Sequence, residues 1–215
     1  MKTAGILGIL LIALTCGEVG AQTTKTAGPF PIVTWHQWNQ LSDGEKKIYT
    51  EGFLETLSFQ FYAYLPDDIK AREQFAAFTR CVEKEPLDRW RPLDWDVFVR
   101  HLDRTVAEQL LPYVWTICKP FLGHSGSSLE PVKLIEKGQW EKMSNEEKNL
   151  YFTAYIETAY ALSKGRDQTK MADEIFSCMS KIQVAKVRTS LDEVSYEWKY
   201  PLPWSVSKAF GSACQ

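Results

Sequence analysis

Histidine is scarce in this chain: three occur, His36, His101 and His124, in unlike contexts. None follows a glutamate by three residues, which excludes the Glu-x-x-His ligands of a di-iron helical bundle. No Cys/Cys or Cys/His spacing fits a zinc site, and a phosphate loop and a dinucleotide fingerprint are both missing. The sequence therefore assigns no cofactor and no metal. Basic residues are in no excess, since 25 Lys and Arg stand against 27 Asp and Glu for a net charge of -2. That balance argues against nucleic acid as a partner, because phosphate contacts need a concentrated positive face. Long apolar runs are lacking too. The stretch Ile6 to Leu14 is too short to cross a bilayer, so no transmembrane segment is expected. Alternation of strand and helix patterns is absent as well, which excludes a βαβ architecture.

What is present begins with a leader pattern. Lys2 gives a basic start, Ile6 to Leu14 an apolar centre, and Val19-Gly20-Ala21 a small-residue cleavage site. Residues 1–21 read as a secretory signal peptide, which implies a periplasmic or secreted mature chain starting near Gln22. Leu14-Thr15-Cys16 offers an alternative, lipid anchoring at Cys16, although Thr15 is larger than the residue usual there.

SDGEKKIYTEGFLET at 42–56 returns 102 positions later as SNEEKNLYFTAYIET at 144–158. In that register Trp38 meets Trp140, Ser42 meets Ser144, Glu45 meets Glu147, Tyr49 meets Tyr151, and Glu55-Thr56 meets Glu157-Thr158. Two amphipathic helices alike by chance would share residue class rather than identity at so many places, so a duplicated unit is expected. The cysteines agree: Cys81 precedes Cys118 by 37 residues and Cys178 precedes Cys214 by 36. Duplication of a unit that closed its own bridge predicts Cys81–Cys118 and Cys178–Cys214, in keeping with an oxidising compartment.

Both copies open with Ser-x-x-Glu, a capping box that starts a helix at Ser42 and at Ser144. Tyr49, Gly52, Phe53, Thr56, Phe59 and Gln60 fall on one helical face, and Gly52 with Ala154 leaves room for a close neighbouring helix. Pro66-Asp67-Asp68 ends the first helix and starts a second, with Ile69, Phe75, Phe78, Cys81 and Val82 as its expected buried stripe. A third helix is expected over about 93–118, and its counterpart near 191–214 is interrupted by Tyr200-Pro201-Leu202-Pro203. The expected fold is all-α, with two pseudo-equivalent three-helix units, each closed by one disulfide. The boundaries are a signal peptide at 1–21, a first unit at 22–122, a linker at 123–131 and a second unit at 132–215.

Candidate chemistry is thin. Gly123-His124-Ser125-Gly126-Ser127-Ser128 lacks the strand and the final glycine of a nucleophile elbow and reads as a flexible connector. Glu55 and Glu157 stand out because no Lys or Arg lies three or four residues away in either helix, so an intrahelical ion pair does not account for them. They could be structural, satisfying buried polar groups such as Tyr49, Tyr62 or an Arg of a neighbouring helix (Arg72, Arg80, Arg100 or Arg104), or could converge in a cleft between the repeats as paired carboxylates that bind a cation or a small ligand, or act as acid and base. Trp38 and Trp140 are expected to pack each unit's start. Trp35, Trp198, Tyr200 and Trp204 lie nearer the mature ends and are the candidate binding residues for a partner protein.

These features point to a non-catalytic, disulfide-stabilised interaction protein, with an enzyme or ligand-binding protein using Glu55 and Glu157 as the alternative. The general build is similar to that of small, cysteine-bridged helical proteins that neutralise toxic effectors in the Gram-negative periplasm, a likeness without a shared motif.

Overall fold

A computed structural model of the chain describes residues 33–63, 68–90, 104–122, 130–165, 170, 173–174, 177–178, 187, 191 and 202–213. Their regular structure is helical, as expected, with one isolated antiparallel bridge between Thr34 and Thr105.

Two short helices lead into two long ones. Helix α1 (Trp35–Gln40) precedes α2 (Asp43–Ala63), and further along the chain α5 (Lys137–Trp140) precedes α6 (Asn145–Gly165). Between these pairs lie α3 (Ile69–Lys84) and α4 (Val106–Cys118), and α7 (Leu202–Ala213) follows them. The capping boxes do set the starts of the long helices. Ser42 N–H donates to Glu45 at 2.7 Å while Glu45 N–H donates to Ser42 Oγ at 3.3 Å, and the Ser144–Glu147 pair repeats this at 2.6 and 3.2 Å.

Helices α2 and α6 form the centre. Every residue of α2 from Ile48 to Ser58 is buried, so this helix is enclosed on all sides rather than amphipathic at a surface. Its main neighbour is α6, and the two pack closely at Gly52, where an added Cβ would lie 3.1 Å from Ala154 Cβ and 3.2 Å from Tyr151 O. The aromatic run from Phe59 continues the helix to Ala63.

Two apolar clusters flank the central pair. One gathers Trp38, Tyr49, Phe53, Phe78, Cys81, Val106 and Val114; the other gathers Ile135, Trp140, Tyr151, Phe152, Val187, Leu202 and Phe210. The long helices exchange residues between them, because Ile48 of α2 joins the second cluster while Ala154 and Leu162 of α6 join the first. The disulfide Cys81–Cys118, with Cα atoms 5.3 Å apart, ties α3 to α4. Cys178 is also disulfide-bonded. Cys214, the partner the repeat assigns to it, lies outside the described residues.

Two details depart from the sequence reading, the exposure of Ile69 and the burial of Trp35. Ile69, expected in a buried stripe, is 78% exposed, since it opens α3 beside its cap Asp68 and points away from the core that Phe75, Phe78, Cys81 and Val82 enter. Helix α4 opens at Val106 on a further capping box, with Glu108 N–H to Thr105 Oγ1 at 3.1 Å and Thr105 N–H to Glu108 Oε2 at 2.9 Å; the earlier part of the third helix, expected from about 93, lies outside the described residues. Trp35, expected near the surface, is buried at 7% in the first cluster. Among the described residues no helix is long and apolar enough to cross a membrane.

Candidate functional site

Glu55 and Glu157 lie in the two central helices, at 0% and 2% exposure. Each points at the other half of the chain. Glu157 Oε1 accepts the N–H of Val33 at 2.6 Å, and its Oε2 accepts the hydroxyl of Tyr49. Glu55 Oε1 accepts the N–H groups of Leu134 at 2.5 Å and Ile135 at 2.8 Å, and its Oε2 accepts the hydroxyl of Tyr151 at 2.5 Å. One shift of 102, that of the repeated segment, relates the two sets: Val33 to Ile135, Trp38 to Trp140 and Tyr49 to Tyr151, with the glutamates exchanged, Glu55 answering to Glu157. The tryptophans hold the tyrosines edge-on, with centroids 5.6 Å apart for Trp38–Tyr49 and 5.8 Å for Trp140–Tyr151.

The segment preceding each central pair is thus anchored by the opposite half. Residues 130–136, without regular secondary structure, are fastened to α2, where Ser58 Oγ adds a third anchor by accepting Val132 N–H at 2.8 Å. Val33 is used from both sides, because its carbonyl accepts Val106 N–H at 2.9 Å while its N–H goes to Glu157. Tyr49 then extends the network. Its hydroxyl accepts Ala107 N–H at 3.1 Å while donating to Glu157, so the first three N–H groups of α4 are taken by Val33 O, Tyr49 Oη and Thr105 Oγ1. The counterpart of Ala107, counted back from the cysteine, is Pro203, which has no N–H to offer.

Burial dominates the electrostatics. Removal from water pushes the Glu55 carboxyl up to about 7, against the lowering effect of Tyr151 and the two backbone donors. Glu157, with one backbone donor fewer, is pushed up to about 8, and Glu108 adds repulsion. Tyr49 is raised well above its ordinary value, first by burial and then by the Glu157 charge. Among the described residues neither carboxylate pairs with a Lys or Arg.

A third acid, Glu51, is also buried, and burial raises its carboxyl too; Lys47 lies 3.8 Å away and Gln139 Nε2 donates to it at 3.2 Å. The repeat gave no warning of Glu51, because its counterpart is Thr153. Glu108 was legible, since Thr105-Val106-Ala107-Glu108 spells the same capping pattern as Ser42 to Glu45. It links α4 to α6 through Lys164 Nζ at 3.3 Å.

Of the candidate binding residues, Trp204 is partly exposed in α7, with Lys208 Nζ 3.7 Å from its ring centroid. Trp198 and Tyr200 lie outside the described residues, as do His101, His124 and the segment 123–129. His36 is exposed and bonded to Gln40 at 3.0 Å. Among the described residues no group of three or more His, Cys, Asp or Glu is arranged to hold a metal ion. No family model, curated protein or solved structure matches this chain.

Proposed function

We propose that this is a secreted or periplasmic, non-catalytic helical interaction protein, built from two copies of one helical unit and recognising another protein rather than nucleic acid. The observation that carries this reading is the occupation of Glu55 and Glu157. Both are sealed from solvent and filled by donors from the opposite half, so their chemistry is spent on joining the halves. A duplicated origin is supported by the shared shift of 102 that relates the two hydrogen-bond sets. An oxidising compartment is supported by the leader pattern of residues 1–21, by Cys81–Cys118 and by the bonded state of Cys178, for which Cys214 is the proposed partner. Trp204 with Trp198 and Tyr200 is the proposed contact strip, a short aromatic and Pro-containing stretch of the kind that docks on protein surfaces.

The test is the Glu55→Gln/Glu157→Gln double variant of the mature protein. Lower thermal stability at pH 5, where both wild-type carboxyls hold their protons, with partner binding retained supports the reading. A variant that keeps wild-type stability but loses binding or a catalytic activity would favour a carboxylate site between the repeats.

A further inference from the structure

Two acids buried where the halves meet, each held only by neutral donors, form an arrangement whose strength depends on protons. We propose that the seam between the halves is a proton-operated latch: closing it takes up protons on Glu55 and Glu157, so the halves grip each other firmly in mildly acidic surroundings and loosely in alkaline ones.

The geometry supports this in three ways. The bonds cross the seam, and among the described residues nothing else offsets the charge: the donors are Tyr49, Tyr151 and the backbone of Val33, Leu134 and Ile135. The charged neighbours have the wrong sign to help. On α2, Glu51 disfavours a charge on Glu55, and on α4, Glu108 disfavours one on Glu157. Among the described residues, Lys47 is engaged with Glu51, Lys164 of α6 with Glu108, Lys133 with Glu136 and Lys208 of α7 over Trp204, and Arg80 of α3, its Nε and Nη1 buried and unbonded, is not among the groups that act on either carboxyl. Finally, the segments held by the carboxylates are the leads into the two helix pairs, so the groups that titrate are those that fasten one half to the other. A neutral carboxyl keeps its Oε1 as acceptor for the backbone donors and offers its own proton to the tyrosine oxygen, so the seam stays bonded when the charge is gone.

Hydrogen exchange of the full chain tests the latch, with intrinsic exchange rates divided out. Between pH 5 and pH 9, protection of the amides of Val33, Leu134 and Ile135 is expected to fall about 100-fold or more. A carboxyl raised from 4.5 to about 7 biases opening by roughly 300-fold once ionised, so this is a conservative figure. Amides of α3, which Cys81–Cys118 fastens to α4, are expected to change far less. The Glu55→Gln/Glu157→Gln variant is expected to lose the pH dependence. Should that variant not fold, a carbon-13 titration of the wild-type glutamate carboxyls decides the matter, with two midpoints expected between about 6 and 9. Midpoints at or below 4.5, protection in the seam that does not change with pH, or an equal loss throughout α3 would each overturn the proposal.

Discussion

A carboxylate carried into a dry interior loses hydration worth several kcal/mol, and donors aimed at its oxygens offset only part of that loss. Tyr49 is the residue on which most depends. Its hydroxyl donates to Glu157 and accepts from Ala107, so one oxygen serves the seam and the start of α4 together. Tyr49→Phe keeps the ring against Trp38 but strands a buried carboxylate oxygen and a buried N–H. It is expected to cost about 2 to 4 kcal/mol of unfolding free energy, read from urea denaturation, by the usual penalty for unmet buried polar groups. At this scale the sequence was partly legible. The missing helical cations marked Glu55 and Glu157 as unusual, but their partners are 79 to 124 residues away, and backbone donors such as Val33 N–H carry no side-chain signal.

Among the elements, the crossing of α2 and α6 sets the tightest tolerance. Gly52 faces Tyr151 O across that crossing, and a backbone oxygen cannot rotate away as a side chain can. Gly52→Val is expected to destabilise by about 3 kcal/mol, overpacking outweighing the roughly half kcal/mol gained in helix propensity. Gly44 is the control. Its added Cβ would meet only Ser42 Oγ at 4.0 Å, so Gly44→Ala is expected to be neutral or to stabilise by a few tenths of a kcal/mol, measured by thermal unfolding. Helix starts were readable because capping boxes are local, and small residues at 52 and 154 signalled a close neighbouring helix, though not that the two meet each other. The cap that opens α4 is just as local, with Thr105 and Glu108 three residues apart.

For the whole molecule, the two raised carboxyls make stability a function of pH. Unfolded, both titrate near 4.5; folded, at about 7 and about 8. Between those values the unfolded chain has lost its protons while the folded chain holds them, so rising pH favours unfolding. Their stabilising contribution is fully present below pH 4.5 and is lost as pH climbs through 7 and 8. The loss is expected to reach roughly 3 kcal/mol from Glu55 alone, since a tenfold change in proton affinity is worth about 1.4 kcal/mol, and it is measured as a lower urea midpoint at pH 9 than at pH 5. The helical class and the Cys81–Cys118 bridge were legible from pattern and spacing. That each half supplies the donors for the other half's acid was not, because a repeat in sequence does not say which face of one copy meets the other.

The most direct measurement is a double-mutant cycle across the seam, with Glu55→Gln and Tyr151→Phe made singly and together and unfolding followed in urea at pH 7. If the carboxylates hold the halves together, the two changes are expected to couple by about 1 to 3 kcal/mol. Coupling near zero, with each change adding independently, would contradict the account.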